Sequence, residues 1–319
     1  MRLFKTAHYD FLSLRKKAYV LSGILLAAGI LSLILHGGLR QGVEFTGGTK
    51  FQIEFVEPTS VADVRDAIAE AGLEGAQIQQ FGGSNEYAIR VATFSESGGQ
   101  RVSAEVTEAL DGAYGEGAWE MRRRSAVGPK VGSELKEKAL IAILLSFALT
   151  LVYLAFRFEW RFGVAAIVAT AHDITLTFGF LSILNIEITL ATVAAILTIL
   201  GYSLNDTIVV FDRIRENLKK RRKDSYADII NSSINETLPR TVLTSGTTLM
   251  TLLALFFLGG SVIQPFALVM ILGVIIGTYS SIFVASPVLL ELATWSRNRE
   301  TRRSAAPAKA GCTCSIRTV

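Results

Sequence analysis

Thr198-Ile-Leu-Gly-Tyr-Ser-Leu-Asn-Asp-Thr-Ile-Val-Val-Phe-Asp-Arg-Ile-Arg-Glu-Asn217 places an acid, Asp206, inside an apolar run long enough to cross a bilayer. The run extends from Ile188 to Phe211, 24 residues. At roughly 1.5 Å per residue it measures about 36 Å, enough for a hydrocarbon core of about 30 Å. An ionised carboxylate there costs roughly 3 kcal/mol on insertion scales, so such a residue faces a protein interior, a partner charge or water. Asp206 therefore calls for a partner elsewhere in the chain.

The composition agrees with a membrane setting. Half of the 319 residues are hydrophobic, 19% are charged and the net charge is only +4, with positive mean hydropathy. The chain reads as a polytopic α-helical membrane protein. Its basic residues sit beside apolar runs and form no nucleic-acid motif. The two cysteines, Cys312 and Cys314, fall in the last eight residues, so no disulfide framework serves the fold.

Apolar runs at Ala18–Leu35, Ala139–Phe156, Phe162–Leu184, Ile188–Phe211, Thr241–Leu258 and about Pro265–Leu292 make six transmembrane helices. Residues 1–17 form a basic N-terminus with Arg2, Lys5, Arg15, Lys16 and Lys17, ahead of a first span over 18–36. Lys and Arg are concentrated in alternate loops: Arg157 and Arg161, then Arg213 to Lys223, then Arg297 to Lys309, while Asn185–Glu187 and Gly259–Gln264 have none. The positive-inside rule then puts both termini in the cytoplasm and residues 37–136 outside. That external segment reads βαββαβ. Thr49–Phe55, Ala76–Phe81, Glu86–Val91 and Ala118–Val127 are strands, Gly82-Gly83-Ser84-Asn85 a hairpin, and Thr59–Leu73 and Gly99–Tyr114 amphipathic helices. This is the order of a ferredoxin-like α+β domain, which does not itself specify a function. Residues 137–292 are the remaining five-span bundle. Within it a cytoplasmic connection, 212–239, has an apolar stripe (Tyr226, Ile229, Ile230, Ile234, Leu238) suited to lying along the membrane surface. Residues 293–319 read as a disordered cytoplasmic tail.

The fifth span offers the partner that Asp206 needs. Arg240, Thr244, Thr247, Thr248 and Thr251 share one face, and Ser203, Asp206 and Thr207 share another on the fourth span, with Asn205 beside them. A long Arg side chain can reach Asp206; the alternatives are snorkelling of Arg240 to the headgroups and a fixed structural ion pair. Asp173, midway through the third span, is a second buried acid, either part of a relay or bonded to neighbouring hydroxyls. His172 points about 100° away from it by helical spacing. Gly273 and Gly277, continued by Ser280 and Ser281, read as a helix-packing surface. Desolvation disfavours a charged carboxylate and a nearby guanidinium favours it, so an acid with a movable Arg can exchange a proton. No P-loop, metal-spaced His/Cys set or paired nucleophile occurs, so neither a catalytic centre nor a cofactor is expected, only protons as a coupling ion.

Several strings together resemble the SecD/SecF family of bacterial protein-export membrane subunits, within the resistance-nodulation-division superfamily of proton-driven transporters. They are Val43-Glu44-Phe45-Thr46-Gly47-Gly48-Thr49, Val127-Gly128-Pro129-Lys130-Val131-Gly132, Ala171-His172-Asp173, the Gly201–Asn217 string, Leu238-Pro239-Arg240-Thr241 and Gly277-Thr278-Tyr279-Ser280-Ser281-Ile282. The resemblance covers about Tyr19 to Leu292. It implies that Asp206 and Arg240 serve proton passage, with Thr244 at a matching polar position and a further acid supplied by a SecD-like sister subunit. It also implies a place in the bacterial inner membrane, and work with a SecYEG-type channel on a translocating preprotein among membrane lipids. The external motif carries Glu44, where the family more often has Asp, ahead of Phe45, Gly47 and Gly48. Half of a small-molecule or lipid exporter and a purely structural translocon scaffold are the competing readings.

Overall fold

The computed structural model describes residues 8–73, 75–80, 85–91, 98–221 and 223–304. Its elements run α1 (Arg15–Leu35), α2 (Val43–Thr46), β1 (Gly48–Phe55), α3 (Val61–Glu70), β2 (Gln77–Gln80), β3 (Glu86–Val91), α4 (Gly98–Tyr114), β4 (Trp119–Val127) and α5 (Pro129–Arg157). Then come α6 (Trp160–Ile183), α7 (Leu190–Lys220), α8 (Tyr226–Leu258), α9 (Gly260–Ser280), a π-helical turn (Ser281–Ala285) and α10 (Ser286–Ser304). Among the described residues six stretches are long and apolar enough to cross a membrane: α1, α5, α6, α7, α8 and the stretch Val262–Ser296, which runs from α9 through the π turn into α10.

The soluble module between α1 and α5 has one antiparallel sheet in the order β2-β3-β1-β4, the ferredoxin-like arrangement. Alternation along β1 turns Phe51, Ile53 and Phe55 to one face, where Val64 and Ile68 of α3 and Val106 and Leu110 of α4 complete a closed core. Ser60 caps α3, its hydroxyl accepting from Asp63 N at 3.1 Å. A bulge opposite Gln52 and Ile53, where Arg122 is the extra residue, bends β4. The hairpin glycines Gly82 and Gly83 and Ser84 lie outside the described residues. Because every large side chain of this core comes from the module itself, residues 48–127 expressed alone are expected to fold. Dispersed amide resonances would bear this out, and a collapsed spectrum would refute it.

Four boundaries differ from the sequence reading. The second membrane helix begins at Pro129 rather than after residue 136, because proline's fixed φ and missing N–H suit the first helical position. The connection 212–239 is not a separate surface helix. α7 and α8 continue past the membrane as a helical hairpin, and the stripe of Ile230, Ile234 and Leu238 packs against Phe211, Ile214 and Leu12. Glu236 fastens this hairpin by accepting from Arg213, from Arg221 at 2.8 Å and from Asn217 at 2.9 Å. The tail expected to be disordered from residue 293 is helical to Ser304; Cys312 and Cys314 lie outside the described residues. The first span begins at Arg15, and ahead of it the backbone of Tyr9 and Phe11 is held by the side chains of Asn235 and Asn231, each at 2.9 Å.

Close helix contacts rest on glycine. A Cβ on either Gly29 of α1 or Gly179 of α6 would fall 2.8 Å from the other's Cα, so these helices touch backbone to backbone. Gly277 of α9 allows the same approach to Ser203 of α7, and Gly273 makes room for Ile199.

Candidate functional site

Asp206 lies on the buried face of α7, 7% exposed. The helix that carries it starts from a capping box in which Thr189 and Thr192 satisfy each other's backbone N–H groups. Two hydroxyls from two other elements donate to the carboxylate. Thr241 Oγ1 of α8 reaches Oδ1 at 2.7 Å, and Ser281 Oγ of the π turn reaches Oδ2 at 2.6 Å. The π turn follows from the local sequence. Gly277 brings α9 against α7, and Ser286 donates its hydroxyl to Ser281 O at 2.9 Å, occupying a carbonyl where the ladder widens. Such turns recur at functional sites because they re-aim a side chain without ending a helix.

Arg240 is not the direct partner that the sequence suggested. Its side chain is exposed, and among the described residues it forms no ion pair with Asp206, so the guanidinium acts on the carboxylate only through space. The helical phase explains the difference. Arg240, Thr244, Thr247 and Thr251 share the outward face of α8, whereas Thr241, Ser245 and Leu252 face inward. The outward threonines return their hydroxyls to their own helix: Thr244 to Arg240 O at 3.0 Å, Thr247 to Leu243 O at 2.9 Å, and the half-buried Thr248 to Thr244 O at 2.9 Å. Asn205 is exposed and does not join the carboxylate, while Thr207 is buried.

Asp173 forms a second buried cluster. It is 2% exposed, and its carboxylate accepts from Ser203 Oγ and meets His172 Nδ1 at 2.9 Å. Ser203 thus turns from the expected company of Asp206 toward α6, one helical turn away on α7. His172, expected to point away, joins its neighbour, because side-chain torsions bring adjacent residues together where backbone spacing alone does not. The line continues from His172 Nε2 to Ser22 Oγ at 3.1 Å, from Ser22 to Tyr279 OH at 3.0 Å, and from Tyr279 to Ala18 O at 2.9 Å. Ser280 Oγ is buried beside Asp173 without a hydrogen bond of ordinary geometry.

The Glu44 motif sits elsewhere. Phe45 is buried, and Gly47, at φ 75°, lies so near the start of α5 that a Cβ would come within 2.9 Å of Pro129 Cα. Gly132 faces the backbone of Phe45 and Gly47 in the same way, and Gly48 opens β1. These residues seat the module on α5 and do not contribute to either acid cluster. Glu44 Oε2 is buried there with no hydrogen-bond partner.

Thr241, Ser281, Ser22 and Tyr279 are the members that residue spacing did not single out. The available signal was the pair Ser280-Ser281 at the end of a small-residue stripe, since hydroxyls deep in an apolar span seek polar partners.

Comparison with known proteins bears on this arrangement. Residues 106–295 match the family described as "Protein export membrane protein SecD/SecF, C-terminal", and residues 32–59 match the SecD/SecF GG motif. The protein translocase subunit SecF of Gemmatimonas aurantiaca is 47% identical over 296 residues, covering 91% of this chain and 89% of that protein. The subunit of the same name from Vibrio alginolyticus is 45% identical over 88% of this chain and 89% of its own length. The crystal structure of SecDF, a translocon-associated membrane protein from Thermus thermophilus, superposes with a TM-score of 0.80 at 38% identity over 92% of this chain. The present chain spans 40% of that SecDF chain. Identity across most of both lengths, together with the shared six-helix bundle and module, shows that this chain belongs to the SecD/SecF family of protein export membrane proteins, on its SecF side.

Proposed function

We propose that this chain, a SecF-type subunit of the Sec export machinery, works with a SecD-type partner to draw on the proton motive force for late steps of polypeptide translocation across the bacterial inner membrane. It does so without covalent catalysis and with protons as its coupling ion. The observation that carries this reading is the buried Asp206 carboxylate, bonded to hydroxyls from two different elements. An ionised carboxylate accepts both hydroxyl hydrogens; once protonated it must donate one itself, so one of the two contacts has to turn or break. Thr241 belongs to α8 and Ser281 to the π turn, so proton gain and loss alter what fastens α7 to its neighbours. Arg240, on the exposed face of α8, offers an electrostatic input to the same group.

The outward stripe of Arg240, Thr244, Thr247 and Thr251 is polar at membrane depth, which supports cover by protein rather than by lipid tails alone. A SecD-type chain is the occupant consistent with the larger SecDF proteins. The SecYEG-type channel and the translocating polypeptide complete the proposed assembly. Affinity capture of the tagged protein from solubilised membranes is expected to recover a SecD-type chain in stoichiometric amount; recovery of the chain alone under conditions that preserve membrane complexes would count against the reading.

The orientation is proposed from the loop charges, with both termini cytoplasmic and the module outside. A cysteine at Asn185 should react with a membrane-impermeant thiol reagent applied to sealed cells, and one at Lys220 should react only after the cells are opened. Labelling of the Lys220 position in sealed cells would reverse the assignment.

A further inference from the structure

A cavity of about 620 Å³ opens between the soluble module and the ends of α1 and α6. We propose that it binds the phosphate of an anionic phospholipid headgroup at the membrane surface. Among the described residues its charged lining comprises Arg40 and Arg90, with His36 also lining it and no acidic residue. Gln41, Thr46 and Asn185 supply neutral polar atoms around the guanidiniums.

The charged groups in the lining favour an anion. Arg90 spends its observed bonds on uncharged oxygens, Gln41 O at 2.8 Å and Thr46 Oγ1. Arg40 meets Glu187 at 3.4 Å, but Lys50 holds the same carboxylate more closely, at 2.8 Å. Arg40, Lys50 and Glu187 therefore sum to one positive charge and Arg90 adds a second, while the Glu44 carboxylate, buried beside Gly42 and outside the lining, sets one negative charge against them. The C-termini of α1 and α6 point here and bring about half a negative charge each, which falls off within a turn, so an anion is favoured by the two guanidiniums in the lining itself. Guanidinium groups suit phosphate because their N–H fork matches its oxygens.

The position distinguishes a lipid from a dissolved anion. Leu39 and Leu181 line the cavity, and the last turn of α1 exposes Ile34 at 70% and Leu35 at 75%. Acyl chains would lie along that apolar surface while the phosphate enters between the arginines. Basic recesses at the membrane boundary recognise headgroups in this way.

The test uses the full chain purified with whatever partner it retains, titrated in detergent with phosphatidylglycerol and read by native mass spectrometry. Phosphatidylglycerol is expected to bind, with phosphatidylcholine at least severalfold weaker and inorganic phosphate a poor competitor. Arg40→Gln together with Arg90→Gln should weaken phosphatidylglycerol binding about tenfold or more, since each removes a charge-assisted contact. Because Arg90 also fastens Gln41 and Thr46, Arg40→Gln alone is the second variant; it should weaken binding severalfold in a protein whose thermal unfolding is unchanged. Glu187→Gln should act oppositely and tighten binding, by releasing Arg40 from a competing carboxylate. Arg101→Gln, on α4 away from the cavity, should change nothing. Undiminished binding by the double variant, equal binding of phosphatidylcholine, or displacement of the lipid by an equal concentration of inorganic phosphate would each overturn the proposal.

Discussion

Asp206→Asn is expected to yield a protein that inserts, folds and retains its partner but loses the proton-dependent part of export. The substitution keeps the side chain's size and an oxygen that accepts from one of the two hydroxyls, with the amide nitrogen donating toward the other, while removing the group that can gain and lose a proton. A purely structural subunit would tolerate it. The complementary change, Thr241→Val with Ser281→Ala, leaves the acid in place and strips both hydroxyls. Hydrogen bonds to a charged group contribute about 1.5–3 kcal/mol each, so the double variant should be impaired nearly as severely as Asp206→Asn. Arg240→Lys should be the mildest of the set, because the guanidinium makes no direct fork on the carboxylate and a lysine preserves its charge. Pulse-chase maturation of a secreted reporter, at matched membrane levels of each variant, orders the three. Wild-type maturation by the double variant would remove the hydroxyls from the mechanism.

The second large effect lies in the packing. Gly29→Val or Gly179→Val puts side-chain carbon where the opposing helix has backbone, at a Cβ to Cα distance of 2.8 Å, and backbone cannot swing aside as a flexible side chain can. α1 must separate from α6, and the Ser32 to Ser182 bond at 2.8 Å and the His172 to Ser22 bond at 3.1 Å go with it. Overpacking of this kind costs about 1–3 kcal/mol and occasionally more, enough to lower the amount of folded protein in the membrane severalfold. Gly23→Ala on α1 and Gly246→Ala on α8 serve as controls, because a Cβ at either meets nothing within 4 Å. Thermal unfolding of the detergent-purified variants should show losses for the first pair and not for the second. Equal stability across all four would mean that α1 and α6 do not touch as described.

Much of this arrangement was readable in the sequence, and the failures have identifiable causes. The apolar runs gave six spans, and the alternation in Thr49–Phe55 and the four-residue steps of Val102, Val106 and Leu110 gave the module. In the hairpin of α7 and α8 the period of the stripe was right and its environment wrong, since periodicity reveals an apolar face but not whether lipid or another helix covers it. Residue spacing points to a charge as the partner of Asp206, and the structure sets two hydroxyls directly on it, with Arg240 acting only through space. Two hydroxyls satisfy a carboxylate as well, and the rotation that turns Thr241 inward and Arg240 outward is set by packing against α7 and α9, beyond the information in one helix. The π turn that aims Ser281 depends on Gly277 and Ser286 acting together with α7, and helical spacing assumes a regular ladder throughout. Backbone spacing alone turns His172 about 100° from Asp173, whereas its ring reaches Asp173 by side-chain rotation.

The central claim, that Asp206 links proton movement to export, is tested most directly by the response to an uncoupler. Reporter export is followed in cells carrying wild-type protein or Asp206→Asn at equal membrane levels, with and without collapse of the proton gradient. Wild-type cells should lose a defined fraction of export on uncoupling, whereas Asp206→Asn cells should already lack that fraction and lose no more of it. Full, uncoupler-sensitive export in Asp206→Asn cells would contradict the account and leave a structural role in its place.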